Sequence, residues 1–334
     1  MKVKIGKSTA NGEIYAPPSK SMAHRMLICA GLAGGKSRIK NIDFSEDILA
    51  TIDCLKALGV DIEKTDGVLE VNGGIKDFTG KRCEFRCRES GSTMRFFMGL
   101  AMLHGGKSFF FGSETLRNRP FTLYEKICED NGIELKKEKS SIYLCGKVKS
   151  GEFVLPGNVS SQFITGLLFI LPLLSGESVI RLIPPVESAA YIDLTIEALK
   201  EFGVRVDKKS EEEYIIPGFQ KYMPCEVSVE GDYSNAAFLD IFNELGGNVT
   251  TLGLKEDSLQ GDRIYKKLFK ELSCGYTKID ISSCPDLGPV LMALAAAGKG
   301  AGFTGTKRLA IKESNRGLVM CEELLKVGGK TDFK

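Results

Sequence analysis

Several segments of this chain gather cations, hydroxyls and glycine where helices should begin. In Pro18-Ser19-Lys20-Ser21-Met22-Ala23-His24-Arg25, Ser21 and Arg25 lie one turn apart on a shared face, with Lys20 beside them. A helix N-terminus already favours an anion through its free N–H groups and macrodipole, so this stretch can grip phosphate or carboxylate. Lys312-Glu313-Ser314-Asn315-Arg316 sets a carboxylate between two cations, which adds a proton carrier to an anion site. In Arg88-Glu89-Ser90-Gly91-Ser92-Thr93-Met94-Arg95, Gly91 lets a ligand approach the backbone closely at a helix start. Val159-Ser160-Ser161-Gln162-Phe163 places two hydroxyls and an amide ahead of an apolar helix. Leu116-Arg117-Asn118-Arg119-Pro120 offers a planar guanidinium fork suited to phosphate or carboxylate, with Arg117 read as a solvated neighbour of Arg119. Asp286 follows a strand and opens a helix; taken alone it reads as an N-cap, and Glu313 taken alone as a surface helix residue.

Composition narrows what these clusters can serve. The 334 residues are 43% apolar and 26% charged, as in a globular chain long enough for two domains. A net charge of +2 gives no global field for nucleic acid, so anion recognition must be local. No apolar run reaches the roughly 20 residues that span a bilayer, and no hydrophobic signal region follows Met1, so a cytoplasmic protein with no membrane or nucleic-acid partner is expected. The ten cysteines are scattered without a C-x-x-C pair and read as reduced packing residues. With only two histidines, His24 and His104, neither a histidine metal centre nor a Ser-His-Asp triad is expected. Gly34-Gly35-Lys36-Ser37 echoes a P-loop, but Ala30 replaces its first glycine and a helix precedes it, so it reads as a turn into a strand.

These segments must be positioned by repeated elements. A helix, then Gly beside an apolar residue, then a short strand recurs at Gly59, Gly132, Gly203 and Gly275, roughly 70 residues apart. Hairpins are expected from 133–135 to 142–144 and from 204–206 to 214–216, whereas 276–281 leaves no room for one. Helices are expected over 92–103, 161–174, 191–202 and 285–297, the second apolar nearly all round and therefore buried. A fifth occurrence, Gly328, comes sooner, and the chain ends at Lys334 where another strand would start.

Together these motifs resemble the signatures of the 5-enolpyruvylshikimate-3-phosphate synthases, over almost the whole chain. The resemblance implies an α/β (α+β) fold of two lobes built from βαβαββ-type units, with sheets outside and helices within. Residues 20–229 would form one complete lobe, and 1–19 with 230–334 a second lobe lacking most of its last unit. The activity implied is transfer of the enolpyruvyl group of phosphoenolpyruvate to the 5-hydroxyl of shikimate 3-phosphate, with release of phosphate. No cofactor or metal is implied, and a monomer is expected.

Residue by residue, the resemblance assigns Ser21, Arg25, Ser160, Ser161, Gln162, Ser188, Tyr191, Asp286 and Lys312 to shikimate 3-phosphate. It assigns Lys20, Gly91, Arg119, Gln162 and Arg316 to phosphoenolpyruvate. Glu313 would protonate the donor methylene and reclaim the proton, Asp286 would accept the hydroxyl proton, and Lys20 would act with them. Arg95 would add to the cationic cluster, its plainer role being to pack against its lobe, and Asp232 would be a supporting acid near the crossing between lobes. Closure of the lobes would bring the lysine and glutamate segments together. Two alternatives are a shortened chain that binds shikimate 3-phosphate without turnover and a transferase for UDP-N-acetylglucosamine. The second is disfavoured because no cysteine lies between Cys87 and Cys128.

Overall fold

The computed structural model describes residues 6, 8–65, 67–74, 82–158, 160–187, 189–311 and 314–333. Its contacts divide into two units, Pro18–Val229 and the segments Met1–Pro17 with Glu230–Lys334. Strand β1 (Asn11–Tyr15) opens the chain, and the larger unit then begins with α1 (Lys20–Leu32), β2 (Lys36–Lys40), α2 (Glu46–Ala57) and a hairpin of β3 (Asp61–Thr65) and β4 (Val68–Asn72). Next come β5 (Arg82–Arg86), α3 (Gly91–His104), β6 (Lys107–Phe111), the short α4 (Glu114–Arg117), α5 (Thr122–Asn131) and the hairpin β7 (Glu134–Lys137) to β8 (Ile142–Cys145). The third passage is β9 (Glu152–Pro156), α6 (Ser161–Ile170), β10 (Ser178–Ile183), α7 (Ala189–Glu201) and the hairpin β11 (Asp207–Lys208) to β12 (Glu213–Ile216), followed by β13 (Glu226–Ser228).

Three four-stranded sheets result, in the orders β13-β2-β4-β3, β5-β6-β8-β7 and β9-β10-β12-β11. Each joins a parallel pair to an antiparallel hairpin, so β13 stands beside β2 as β5 stands beside β6 and β9 beside β10. Alternation explains why each sheet buries one face: Ile39 and Val71, Phe85 and Phe110, and Leu155 and Leu182 point inward, while Lys36, Arg38 and Lys40 face water. The rings of Phe85 and Phe110 stack with centroids 4.9 Å apart.

The inner layer is made of α1, α3 and α6, each capped by a serine. Ser19 accepts from Met22 N, Ser90 from Thr93 N and Ser160 from Gln162 N. The caps recur about every 70 residues, as the glycines do. Helix α6 is buried all round, as its sequence predicts, and continues as a 3₁₀ turn over Leu171–Leu173. A β-carbon on Gly99 would stand 2.4 Å from the Gly166 carbonyl oxygen, so α3 and α6 touch through their backbones. Tyr124, fully buried on α5, bonds the Arg95 carbonyl at 2.8 Å and reaches that of Phe163 at 3.3 Å, which holds the first turns of both helices in place.

Gly59, Gly132 and Gly203 have φ of 77°, 67° and 76°, the left-handed conformation that ends a helix and feeds the hairpin after it. Gly275, at φ 164°, is extended, and no hairpin separates α9 from β15 below. The strand expected at 204–206 is displaced to Asp207–Lys208. The Gln220 side chain accounts for this: it accepts from Arg205 N at 2.8 Å and donates to Arg205 O at 2.9 Å, taking the groups a ladder would use.

The smaller unit continues from β1 with α8 (Tyr233–Glu244), β14 (Asn248–Leu252), α9 (Tyr265–Cys274), β15 (Thr277–Asp280), α10 (Gly288–Ala297), β16 (Ala301–Thr304) and α11 (Arg316–Lys326). Among the described residues its sheets are two parallel pairs, β1 with β14 and β15 with β16. Tyr233, Tyr265, Phe269 and Leu291 belong to its core. Asp232 caps α8, its Oδ1 accepting from Asn235 N at 2.8 Å, which gives this acid a structural task. None of the ten cysteines forms a disulfide, and six are buried. Among the described residues no helix is long and apolar enough to cross a membrane, and no cluster of His, Cys, Asp and Glu could hold a metal.

Candidate active site

The first turn of α3 is the focus of the larger unit. Gly91 lacks the atom that would collide with Arg119: a β-carbon there would lie 2.7 Å from Arg119 Nη1 and 3.6 Å from Arg95 Nη1. Two guanidinium groups therefore converge on one helix N-terminus, where partial positive charge is already concentrated. Arg119 Nε and Nη2 are buried and have no hydrogen-bond partner among the described residues. Arg119 as a whole is half-buried, but buried guanidinium donors left open cost free energy unless an anion completes them, so this geometry suits a ligand rather than stability.

Gln162 joins this cluster from α6. Arg95 Nη1 donates to Gln162 Oε1, and since a guanidinium only donates, the amide nitrogen must face Ser92, whose Oγ it bonds at 2.7 Å. Arg95 also lies over the Phe163 ring, 5.1 Å from its centroid. Ser160 and Ser161 open the same helix, Ser161 buried at 4% exposure. Gly91, Ser92, Arg95, Arg119 and Gln162 are thus brought together. Arg117 departs from the solvated role expected of it, because Nε bonds Gly112 O at 3.1 Å and Nη1 bonds Lys139 O at 2.8 Å; it fastens the loop that carries Arg119.

The α1 segment divides into an exposed and a buried cation. Lys20 Nζ reaches Asp47 Oδ2 at 2.6 Å, with the lysine side chain 52% exposed. Arg25 is 2% exposed and faces inward. Its Nε bonds Thr195 Oγ1 at 2.9 Å, Nη1 bonds Ser21 O at 2.7 Å, and Nη2 bonds Tyr191 O at 2.9 Å and Thr165 Oγ1 at 3.4 Å. Four of its five N–H bonds are therefore committed to α1, α6 and α7, leaving one on Nη1 for a ligand. Burial pulls Arg25 down to about 10, so it stays charged at neutral pH. Phe96, buried at 1%, underlies it, with the guanidinium carbon 5.7 Å from the ring centroid. Ser21 and Tyr191 are half-buried beside it, and each turns a backbone carbonyl toward this arginine.

Sequence reasoning missed Asp47 as the partner of Lys20 and missed the buried hydroxyls Thr51 and Thr93. Asp47 also presents its backbone carbonyl to Thr93 Oγ1 at 3.3 Å, which ties the start of α2 to that of α3. The serine of Phe44-Ser45-Glu46-Asp47, which caps α2 through Ile48 N, was the available signal.

In the smaller unit Asp286 is not an N-cap. It lies within the 3₁₀ turn Pro285–Leu287, which Cys284 precedes, and its Oδ1 accepts from Arg316 Nη1 at 2.6 Å. Each side chain of that pair is 27% exposed. Asn315 caps α11 by accepting from Leu318 N. Ser188, Lys312 and Glu313 lie outside the described residues.

A family model described as EPSP synthase (3-phosphoshikimate 1-carboxyvinyltransferase) matches residues 5–334. The chain belongs to the EPSP synthase family. The 3-phosphoshikimate 1-carboxyvinyltransferase of Clostridium kluyveri is 42% identical to it over 347 residues, covering 98% of this chain and 81% of that one. That of Clostridioides difficile is 40% identical, covering 99% and 82%. An EPSP synthase structure from Acinetobacter baumannii aligns with a TM-score of 0.73 over 95% of this chain and 78% of that one, at 22% identity, and so shares the fold. The α/β architecture of repeated units expected from the sequence is that of the EPSP synthase family.

Proposed function

We propose that this chain transfers the enolpyruvyl group of phosphoenolpyruvate to the 5-hydroxyl of shikimate 3-phosphate and releases phosphate. The observation that carries the site assignment is Arg119, a half-buried guanidinium whose Nε and Nη2 are buried open donors, beside Gly91. It suits the phosphate or carboxylate of phosphoenolpyruvate, with Arg95 and the first turn of α3 supplying further positive charge. Gln162, oriented by Arg95, stands beside that position. Lys20 would hand its ammonium from Asp47 to the incoming donor.

Shikimate 3-phosphate would lie along the starts of α1, α6 and α7. Ser160, Ser161 and Ser188 offer hydroxyls for its phosphate, and Ser21, with the remaining Arg25 N–H and Tyr191, for its carboxylate. In the reaction the 5-hydroxyl attacks C2 of phosphoenolpyruvate while C3 gains a proton, and the resulting tetrahedral ketal expels phosphate. Asp286 is the candidate to take the hydroxyl proton and Glu313 the candidate to protonate C3 and later reclaim that proton, each such transfer typically worth about 10²- to 10⁴-fold. Lys312 and Arg316 are the candidates to bind substrate anions, Arg316 sharing its fork with Asp286.

The test is phosphate release from phosphoenolpyruvate by the full chain, with and without shikimate 3-phosphate. Release that requires shikimate 3-phosphate and falls by more than about a hundredfold in Lys20→Met and Glu313→Gln supports the proposal. Release independent of shikimate 3-phosphate, or none, refutes it.

A further inference from the structure

A line of buried polar groups runs from the interior of α1 to the cap of α3, and no step above uses it. His24 is 1% exposed, Thr51 and Thr93 are 0%, and Ser90 is 1%. His24 Nδ1 lies 2.7 Å from Thr51 Oγ1, which lies 2.8 Å from Thr93 Oγ1, which donates to Ser90 Oγ at 2.8 Å. His24 Nε2 is buried with no hydrogen-bond partner among the described residues. Burial is the main reason the imidazole stays neutral, with its pKa lowered to about 3.

These facts fix a direction. A neutral ring carries one hydrogen, and it belongs on the nitrogen that has an acceptor, which is Nδ1. Thr51 then accepts from His24 and donates to Thr93, and Thr93 donates to Ser90 at 2.8 Å in preference to the Asp47 carbonyl at 3.3 Å. Ser90 Oγ also accepts from Thr93 N at 3.2 Å, so both of its lone pairs are filled. The N–H of Ser92, a first-turn donor at the second helical position with no intrahelical acceptor, cannot turn to Ser90, and that of Gly91, adjacent to the cap, is out of its reach. Helix α3 itself offers them no acceptor.

We propose that His24 is a positioning residue that, through Thr51 and Thr93, saturates Ser90 and so reserves the Ser92 N–H, beside that of Gly91, for an anionic group of phosphoenolpyruvate. The ligand's identity rests on the functional reading above; the relay itself rests on the geometry. Losing the bond it accepts from Thr51 frees the Thr93 hydroxyl to rotate toward the Asp47 carbonyl, which opens a Ser90 lone pair to compete for the Ser92 N–H.

The experiment is equilibrium titration of the full chain with phosphoenolpyruvate, alongside phosphate-release kinetics and thermal melting. Thr51→Val, which keeps shape and removes the hydroxyl, should weaken phosphoenolpyruvate binding about three- to tenfold, the worth of a neutral hydrogen bond, with shikimate 3-phosphate affinity changed less than about twofold. Thr51→Ser restores the link and should restore affinity. Thr93→Val breaks the chain one link nearer the site, should act in the same direction as Thr51→Val, and serves if Thr51→Val does not fold. Unchanged phosphoenolpyruvate affinity in the valine variants overturns the inference, as do an equal loss in Thr51→Ser and an absence of phosphoenolpyruvate binding by the unmodified chain. Binding that follows the predicted pattern without phosphate release upholds the relay while refuting the transferase reading.

Discussion

Arg119 Nη1 stands 2.7 Å from the point where a β-carbon on Gly91 would sit. The colliding atom ends a flexible side chain, so Gly91→Ala should move the guanidinium rather than the helix. Stability should change by no more than about 0.5 kcal/mol, the usual range away from special sites. The KM for phosphoenolpyruvate should rise about tenfold, equivalent to ~1.4 kcal/mol. Steady-state kinetics and thermal melting on the same preparation separate the two effects.

Arg119→Gln should uncouple activity from stability in the opposite sense to a core substitution. Charge-assisted hydrogen bonds to the donor anion are worth about 1.5–3 kcal/mol each, so kcat/KM should fall by at least about tenfold per bond lost. Because Arg119 Nε and Nη2 have no partner among the described residues, Tm should hold or rise. A lower Tm with unchanged kcat/KM would assign Arg119 to the scaffold.

His24 should make the fold acid-sensitive. Its folded pKa of about 3 lies below the unfolded value of 6.5, chiefly through burial, with Lys20 and Arg25 adding to the depression and Asp47 opposing it. Above pH 6.5 neither state holds the proton and the stability is fully present. As pH falls from there toward 3, the unfolded ring binds a proton that the folded ring refuses, and stability drops by up to about 1.4 kcal/mol per pH unit. Urea unfolding between pH 7 and about 4 should show a shallower loss for His24→Asn than for the unmodified chain.

Gly99→Ala should be costly. Its β-carbon would meet the Gly166 carbonyl oxygen at 2.4 Å, and backbone cannot yield as a side-chain tip can. Overpacking of this kind costs typically 1–3 kcal/mol, so Tm should fall by several degrees. Since Arg95 and Gln162 ride on the two helices that would separate, phosphoenolpyruvate affinity should fall with it, as parallel melting and titration would report.

What could be read in advance was what depends on neighbouring residues. Helix ends at Gly59, Gly132 and Gly203, the hairpin around Tyr143 and the missing hairpin after Gly275 follow from local turn chemistry and periodicity. The glycine and serine signals also located the helix starts that carry Gly91 and Ser161. Side-chain competition over long separations was illegible. Gln220 claiming the backbone of Arg205, Arg25 spending its fork on Thr195 and Tyr191, and Arg117 binding carbonyls rather than water are all set by packing. Asp286 looked like a cap because its sequence neighbours suit one, yet an arginine 30 positions on claims its carboxylate. The His24 relay was equally hidden, since its four members come from three helices and a cap.

The placement of β13 has a consequence for how the chain is made. Glu226 aligns with Arg38, 188 positions earlier, whereas the other two sheets draw their strands from short, consecutive stretches. On a ribosome the sheets around β6 and β10 can assemble as they emerge, but the one around β2 must wait with an open edge until nearly the whole unit has been synthesised. Val229 N then bonds Lys40 O at 3.0 Å, and Asn41 Nδ2 bonds Val229 O at 2.6 Å. These last few residues act as a clasp, and a nascent chain released before them would carry an unprotected strand edge as its most aggregation-prone feature.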